Sequence, residues 1–164
     1  MIIRKATEED IVQLMDIYNE AILHTTATFD TEEKDMKNRQ NWFYEHRGVY
    51  GLLVAVDGSK VLGYAELSPY RSRAAYEETA ELGLYVRKEN RGEGIGTALL
   101  ERIVEYGRRQ VKLHTIVSVI TSENEGSIHI HQREGFMHCG TIQDAGKKFG
   151  RYLNVDIYQL LLHT

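Results

Sequence analysis

Cysteine, proline and long apolar segments are scarce in this chain of 164 residues. The single cysteine, Cys139, excludes an intrachain disulfide and favours a reducing compartment, which predicts a cytoplasmic location. Residues 1–6 are too few and too quickly charged to be a signal peptide, and no run of about 18 apolar residues is present to cross a membrane. Because Cys139 lies in the apolar run 136–142, we expect it to pack in the interior rather than to act as a nucleophile.

A strong net charge is missing as well. The formal net charge is -4, and 27% of the residues are charged against 42% hydrophobic, which is ordinary for a globular protein. A chain of this length is expected to fold as one domain over residues 1–164. A polyphosphate ligand would need local positive charge, and nucleic acid is disfavoured as a partner. The histidines are scattered without ligand spacing, so no metal site is expected.

The first half of the chain has the pattern of two helices and an antiparallel meander. A capping-box signal at 7–10 is followed by apolar residues at helical spacing from Ile11 to Ile22. A second helix is expected over 35–46. Strands are expected at Ile2 and Ile3 and over 52–56, 61–67 and 79–86, with a hairpin signal at 57–60.

The second half alternates helices and strands. Helices are expected over 95–109 and 124–133, and strands over 114–120, 136–142 and 155–162, all in the same sheet. The loop 68–78 carries Arg71, Arg73 and Tyr76. This loop is equally compatible with plain solvent exposure and with the wall of a substrate pocket.

The strongest ligand signal is the segment before the helix at 95–109, here called the glycine loop. It consists of Arg91, Gly92, Glu93, Gly94, Ile95, Gly96 and Thr97. Glycines let the backbone approach a ligand closely, and the first turn of a helix presents unpaired N–H groups, so the loop suits a phosphate. The same pattern taken alone is more often purely structural, so the prediction depends on other motifs.

Spacing excludes two familiar phosphate loops. Thr97 stands where a P-loop requires lysine, and G-x-G-x-x-G fails at Thr97 counted from Gly92 and at Leu99 counted from Gly94. Because the preceding strands read as a meander, we also expect that the glycine loop does not open a β-α-β unit, which disfavours a dinucleotide-binding fold. The pattern that remains is Arg91-x-x-Gly94-x-Gly96.

A second motif follows about thirty residues downstream, Asn124-x-x-Ser127-x-x-x-His131-x-x-x-Gly135-Phe136. Together with the glycine loop it resembles the GCN5-related N-acetyltransferases. The resemblance implies an α/β (α+β) fold with a mixed, mostly antiparallel central sheet, one splayed parallel pair and about four flanking helices. It also implies acetyl-coenzyme A as co-substrate, held by its pyrophosphate at the glycine loop.

Further similarity to the phosphinothricin acetyltransferase-like branch extends over nearly the whole chain. It is carried by residues 17–22, 28–32 and 63–65, by Arg71-x-Arg73-x-x-Tyr76, by Thr79-x-Glu81 and by Lys148-Phe149-Gly150-Arg151. The branch implies acetylation of the primary amine of a small amino acid or analogue, of the phosphinothricin, methionine sulfone or methionine sulfoximine type, by a homodimer. Lys147 replaces an aromatic residue of the branch pattern and Asn154 an aspartate, so the acceptor is not simply carried over.

Acetyl transfer to an amine needs a base for the ammonium, donors for the tetrahedral oxyanion and a proton for the leaving thiolate. Glu81 is expected to be the base, because a carboxylate suits that role and the resemblance places the base there. The alternative is an ordinary strand carboxylate facing solvent. His131 is a candidate proton donor to the thiolate, against a purely structural role for a lone helical histidine.

The resemblance also assigns binding residues. Gly83 is unusual within a strand and often marks a close backbone approach; the strand after it, Leu84, Tyr85 and Val86, would bind the pantetheine arm. Asn124 and Ser127 would contact the cofactor, although helix capping alone explains Asn124. Candidates for the acceptor pocket, because cations bind oxyacids, are Phe29, Arg71, Arg73, Tyr76 and Lys148. The alternative is that these cations belong to a solvated surface.

Other functions stay open on the sequence. The acceptor could be another amine, such as a polyamine, an antibiotic or a protein N-terminus. A module that binds acyl-coenzyme A without turnover would need only the glycine loop. A nucleotide-binding regulator is a third possibility.

Overall fold

Seven strands and four α-helices form the part of the chain that the computed structural model describes, residues 1–46, 48–110 and 112–163. The strands are β1 (Ile2–Lys5), β2 (Leu52–Asp57), β3 (Lys60–Pro69), β4 (Thr79–Val86), β5 (Thr115–Thr121), β6 (Met137–Lys148) and β7 (Arg151–Leu161). The helices are α1 (Ile11–His24), α2 (Met36–Glu45), α3 (Ile95–Arg108) and α4 (Glu125–Glu134). The sheet has the order β1-β2-β3-β4-β5-β7-β6, and β4–β5 is its parallel pair. This mixed topology confirms the expected fold class.

Helix α1 follows the capping signal that the sequence predicted. The Asp10 carboxylate accepts a hydrogen bond from the Thr7 backbone N–H at 2.8 Å and one from Arg4 Nη1 at 2.7 Å. Leu14 and Ile17 of the apolar stripe are buried against β2 and β3. Burial of this stripe, more than helix propensity, holds α1 on the sheet.

The two faces of β4 serve different layers, as the alternation of its side chains predicted. Leu82, Leu84 and Val86 belong to the core cluster that contains the buried face of α3. Tyr85 belongs to the cluster under α1 and α2, with Tyr64 of β3 beside it. Glu81 and Gly83 alternate along β4 with the residues that face α3, so they lie on the α1–α2 face together with Tyr85.

One topological expectation was wrong. The strands β4 and β5 are parallel neighbours joined through α3, so the glycine loop does open a β-α-β unit. The meander pattern concealed this, because β4 is antiparallel to β3 on one side and parallel to β5 on the other. The argument against a dinucleotide-binding loop therefore depends on glycine spacing alone.

Strands β6 and β7 form a longer hairpin than the expected strands 136–142 and 155–162. They meet at a two-residue turn, Phe149-Gly150, in which both residues have positive φ, 53° and 74°. Cys139 is exposed, which corrects the expectation that it packs. The reason is that β6 is the edge strand of the sheet, and its side chains are largely uncovered.

Within the described ranges, no helix is both long enough and apolar enough to cross a membrane. Among the same residues there is no group of three or more histidine, cysteine or acidic side chains that could hold a metal ion.

Candidate active site

A groove of about 840 Å³ lies between the end of α1, the end of β4, the glycine loop and the start of α4. Several sequence-predicted cofactor residues line it together: Leu84, Tyr85, Val86, Arg91, Gly92, Gly94, Ile95, Gly96, Thr97, Asn124 and Ser127. Glu93 is the one predicted cofactor residue absent from this lining; its exposed carboxylate accepts from Asn90 Nδ2 at 3.3 Å. Asn90 itself lines the groove and was not predicted.

The glycine loop presents bare backbone to the groove. Gly92 and Gly94 have φ of 81° and 83°, a left-handed conformation that glycine adopts without strain. Gly94 is the N-cap of α3, and no protein atom lies within 4 Å of where its Cβ would be. The following N–H groups belong to the first helical turn, where no intrahelical acceptor exists. This loop fits a pyrophosphate, which needs close backbone donors and the positive end of a helix dipole.

Arg91 is held by groups on two elements. Its Nε donates to the Val86 carbonyl at 3.1 Å, and its Nη2 donates to Glu20 Oε2 at 2.6 Å. The guanidinium is therefore fixed between β4 and α1 and is still 41% exposed. Glu20 had no recognised role in the sequence, because its partner lies 71 residues further along the chain.

The start of α4 forms the opposite wall of the groove. Asn124 Oδ1 accepts from the Ser127 backbone N–H at 3.2 Å, so Asn124 caps the helix as expected. Next to it, Glu123 accepts from both terminal nitrogens of Arg151 at 2.7 and 2.9 Å, and from Thr26 Oγ1 at 2.7 Å. Because of the hydrogen bonds from Arg151 and Thr26, the pKa of Glu123 is lowered to about 2. This cluster joins the α1–α2 loop, α4 and the β6–β7 hairpin.

Strands β4 and β5 separate inside the sheet. Their pairing covers Thr79 to Glu81 opposite Thr115 to Val117, and beyond it they enclose a gap of about 50 Å³. The gap is lined by Ala27, Leu82, Gly83, Leu84, Tyr85, Ser118, Val119, Ile120, Thr121, Asn124, Ser127 and His131. Since β4 lacks a strand partner on this side, its main-chain groups between residues 82 and 86 are available to an extended ligand.

His131 lies at the closed end of this gap and is 1% exposed. Its Nδ1 is 2.7 Å from the Ser127 carbonyl and its Nε2 is 3.0 Å from Ser118 Oγ. Since a carbonyl can only accept, Nδ1 carries the proton and Nε2 accepts from the Ser118 hydroxyl. Burial lowers the pKa of His131 and outweighs the opposing effect of the Ser127 carbonyl. The imidazole is therefore neutral near pH 7.

Glu81 is the last residue of β4 that pairs with β5. Its side chain is partly buried, and it faces the α1–α2 side of the sheet. Burial raises its pKa, the carboxylate of Glu66 raises it further, and the Arg71 guanidinium opposes both. A carboxylate whose pKa is raised is a stronger base than an ordinary one, which suits it to proton transfer.

Glu66 of β3 is a site residue that sequence reasoning missed. It lies opposite Gly83 in the β3–β4 register. Its Oε2 accepts from Trp42 Nε1 at 2.6 Å and is 3.0 Å from His46 Nε2, a distance within ion-pair range but without hydrogen-bond geometry. The unusual strand glycine was the available signal, because Gly83 leaves space for a facing side chain.

The predicted acceptor residues fall into two groups. Arg71, Arg73 and Tyr76 surround a hollow of about 340 Å³ after β3, together with Tyr70. Arg71 stacks 4.9 Å above the Tyr70 ring, and the rings of Tyr70 and Tyr76 are 5.3 Å apart. The influence of Arg71 on the pKa of Glu81 links this hollow to the carboxylate.

Phe29 and Lys148 form the other group, at the β6–β7 hairpin. The Phe29 ring occupies the space over Gly146, where an added Cβ would lie 2.5 Å from the ring. Lys148 is 5% exposed and its Nζ donates to the Thr28 carbonyl at 2.8 Å. Burial lowers the pKa of Lys148, and Asp30 partly offsets this effect. In this structure Lys148 ties the hairpin to the α1–α2 loop.

Comparison with protein families gives one domain match. The model for the acetyltransferase (GNAT) family matches residues 12–136. An L-methionine sulfoximine/L-methionine sulfone acetyltransferase of Pseudomonas aeruginosa is 40% identical over 162 residues, covering 98% of this chain and 94% of that protein. A phosphinothricin N-acetyltransferase of Streptomyces coelicolor is 38% identical, covering 96% of this chain and 94% of that protein.

Solved structures agree with these matches. A putative acetyltransferase from Salmonella typhimurium, solved with acetyl-CoA, superposes with a TM-score of 0.97 at 34% identity, covering 100% of this chain and 95% of the other. A phosphinothricin acetyltransferase from Sinorhizobium meliloti in complex with acetyl-CoA gives 0.94 at 31% identity, with 98% and 88% covered.

Proposed function

Because the chain belongs to the acetyltransferase (GNAT) family, we propose that it transfers the acetyl group of acetyl-coenzyme A to the primary amine of a small amino acid or an amino-acid analogue. The relatives named for methionine sulfoximine, methionine sulfone and phosphinothricin support this acceptor class. One observation carries the mechanism: the pairing of β4 with β5 stops at Glu81, so a carboxylate with a raised pKa stands where the gap opens.

The groove is the proposed site of the coenzyme. The backbone of the glycine loop, with Arg91, would hold the pyrophosphate, and Asn124 and Ser127 would contact the coenzyme from α4. The unpaired side of β4 from Leu84 to Val86 would hydrogen-bond the pantetheine arm. Glu93 would take part through its backbone only, since its side chain points to Asn90.

Glu81 is the proposed base. It removes a proton from the acceptor ammonium, and the amine nitrogen then attacks the thioester carbonyl carbon. A main-chain N–H near Leu84 would donate to the oxygen that becomes negative, because it faces the gap. When the intermediate collapses, the C–S bond breaks and the nitrogen gives up its second proton to Glu81, once that carboxylate has released the first one to water. The amide then remains and the thiolate needs a proton.

His131 is the proposed source of that proton. Its neutral imidazole has one N–H, which is bound to the Ser127 carbonyl. The imidazole must therefore gain a proton at Nε2, on the side of Ser118, before it can give one at Nδ1. This role predicts that kcat falls as the pH rises above the pKa of His131 in the complex. It also predicts that this fall in kcat is absent from the pH profile of His131→Gln.

Thiol release tests the proposed reaction. The protein is mixed with acetyl-coenzyme A and a panel containing L-methionine sulfone, methionine sulfoximine, phosphinothricin and spermidine, and free thiol is followed with a thiol reagent. Glu81→Gln is expected to lose about 100-fold or more of kcat near pH 7, the range for removal of a general base. Glu78→Gln, an exposed carboxylate close along the chain, is the matched control and should keep full activity.

The outcomes separate the candidate functions. Thiol release with spermidine and not with the amino acids would indicate that the acceptor is a polyamine and not a small amino acid. Tight binding of acetyl-coenzyme A without release from any amine would contradict transfer and favour a binding module. A full rate in Glu81→Gln would exclude Glu81 as the base.

The uncovered half of the sheet supports the proposed homodimer. Val119 of β5 and Leu161 of β7 are 42% and 40% exposed, and Ile142 of β6 is 54% exposed. By the strand register these three side chains lie on one face of the sheet, and exposed apolar side chains on one face are typical of an interaction surface. Sedimentation is expected to give twice the mass of one chain. Leu161→Lys should shift the equilibrium toward monomer. The exposed, unpaired Cys139 and the use of acetyl-coenzyme A fit the proposed cytoplasmic location.

A further inference from the structure

Gly83 and Glu66 form a complementary pair on the α1–α2 face of the sheet. A Cβ added at Gly83 would lie 2.8 Å from Glu66 Oε1 and 3.0 Å from Glu66 Cγ. The Glu66 side chain therefore lies across β4 in space that any side chain at position 83 would fill. This places a second carboxylate next to the strand whose unpaired edge faces the gap.

One oxygen of Glu66 is fixed and the other is not. Oε2 is held by Trp42 Nε1 at 2.6 Å and by the nearby His46 ring, which is 4% exposed. Burial alone would lower the pKa of His46, but the Glu66 carboxylate, the Trp42 carbonyl and the charge of Glu45 together outweigh burial and raise that pKa. Oε1 has no such partner among the described residues and points over Gly83. The contacts of Oε2 with Trp42 and His46 therefore orient Oε1 as a hydrogen-bond acceptor for a bound ligand.

Glu66 and Glu81 share this face and are diagonal neighbours, since Glu66 pairs with Gly83 and Glu81 with Ser68. Diagonal residues of an antiparallel pair are about 7–8 Å apart. An ammonium between two carboxylates, with hydrogen bonds of about 2.8 Å each, spans roughly 5.5 Å. Glutamate side chains are long enough to bring the two carboxylates from the spacing of about 7–8 Å between the residues to the roughly 5.5 Å that a bridging ammonium needs.

Both anionic and cationic groups face the pair. Glu66 and Glu81 are joined there by Arg71 from the loop after β3, His46 at the C-cap of α2 and Arg39 of α2, whose guanidinium lies 4.1 Å above the Trp42 ring. Tyr64 and Tyr85 also face the pair, and their phenols have pKa values raised by burial first and also by the charge of Glu66. The Arg71 guanidinium and His46 already offset the two carboxylates, so the case for an ammonium rests on Glu66 Oε1, which has no hydrogen-bond donor among the described residues.

We propose that Glu66 and Glu81 form a two-carboxylate site for the ammonium group of the acceptor. Glu66 Oε1 captures the protonated amine and Glu81 removes its proton. This inference rests on the proposed function and sharpens it. The acceptor enters with its ammonium over Gly83, and an acid group on the same molecule is directed toward Arg71, because a carboxylate next to Glu66 would be repelled.

Removal of the Glu66 charge should affect binding of the acceptor amine more than the acetyl-transfer step. In Glu66→Gln we expect the KM for L-methionine sulfone to rise about tenfold, as for the loss of one charge-assisted hydrogen bond, while kcat changes less than threefold. Gly83→Ala should act in the same direction without changing any charge, because its Cβ displaces Oε1. Glu33→Gln, an exposed carboxylate in the loop before α2, is the control and should change neither value.

A second measurement needs no turnover. The 13C carboxyl resonance of Glu81, assigned with Glu81→Gln, is titrated in the wild type, in Glu66→Gln and in Arg71→Gln. Loss of the Glu66 charge should move the Glu81 titration to lower pH, and loss of the Arg71 charge should move it to higher pH. A general loosening of the fold would not produce shifts of opposite sign. If neither variant moves the titration, the two-carboxylate site is overturned.

Binding separates this inference from the proposed reaction. Calorimetry with coenzyme A present measures the Kd of L-methionine sulfone and of its 2-hydroxy analogue, which lacks the ammonium. We expect Glu66→Gln to weaken the amine and leave the hydroxy compound unchanged. If the wild type binds the amine through Glu66 but releases no thiol, the reaction fails and the site stands. If thiol is released while Glu66→Gln leaves Kd and KM unchanged, or if the amine and its hydroxy analogue bind equally, the site is overturned.

Discussion

Arg91 of the glycine loop donates from Nη2 to Glu20 Oε2 of α1 at 2.6 Å. The ion pair connects the glycine loop to α1, the helix that covers the other face of the sheet. A half-exposed ion pair contributes little to stability by itself. Its value is that it fixes a guanidinium where an anion would approach.

Replacement of Arg91 should therefore weaken binding of the coenzyme. In Arg91→Gln we expect the KM for acetyl-coenzyme A to rise about tenfold, which corresponds to about 1.4 kcal/mol, with kcat nearly unchanged. Glu20→Gln should have a smaller effect in the same direction, since Arg91 loses its anchor but keeps its charge. Arg102→Gln, an exposed arginine on α3, is the control. An unchanged KM in Arg91→Gln would remove Arg91 from the site.

Gly94 should tolerate no side chain without cost. Its φ of 83° would force an alanine at this position into a left-handed conformation, which costs about 1–2 kcal/mol. For a chain of this size about 1 kcal/mol lowers Tm by about 2–4 °C, so Gly94→Ala should lower Tm by about 2–8 °C. Gly126→Ala, in the first turn of α4 with no atom within 4 Å of the new Cβ, should raise Tm slightly. Equal Tm changes in the two variants would contradict the argument.

His131 should make stability depend on pH. Its pKa is lowered in the fold, so the unfolded chain binds the proton more readily and stability falls as the pH drops below about 6.5. The variant His131→Leu lacks this pH-dependent contribution to stability. The Tm difference between wild type and His131→Leu should therefore shrink between pH 7.5 and pH 5.5. The exposed neighbour His129 offers the control His129→Gln. Parallel Tm curves would indicate that His131 has a normal pKa.

Glu123 and Arg151 should hold the tip of the β6–β7 hairpin against the groove. Glu123→Gln and Arg151→Gln should each speed amide hydrogen exchange over residues 148–152, and the double variant should be no faster than either single one. About 1 M salt should reduce the difference from wild type, since both side chains are largely exposed. Because the pKa of Glu123 is about 2, lowering the pH from 7 to 4 should leave the pair intact. Additive effects of the two substitutions would contradict a direct pair.

The local signals in the sequence predicted most elements and one wall of the site. Capping at residues 7–10, the apolar period of α1 and the hairpin at 57–60 depend on neighbours within a few positions, so they are readable from the chain. The glycine loop is local as well, because positive φ at Gly94 and the start of α3 lie side by side in the sequence. The length of the β6–β7 hairpin was underestimated, because its turn carries the bulky Phe149 at positive φ.

Contacts between distant segments could not be predicted from the sequence. Glu81 was predicted to be the base from its place in a motif, but the end of strand pairing beside it depends on how β4 and β5 diverge. The burial of His131 against Ser118 and the capture of Arg91 by Glu20 each join separate elements.

What the sequence by itself determined is the set of available groups: a glycine-rich turn before a helix, a strand carboxylate and a bare glycine at position 83. Only the tertiary structure decided which groups meet. The antiparallel register placed Glu66 opposite Gly83, and the packing of α2 on the sheet brought Trp42 and His46 to one oxygen of that carboxylate. The physical reason is that register and helix packing are set by burial of the whole core, which no short stretch of sequence records.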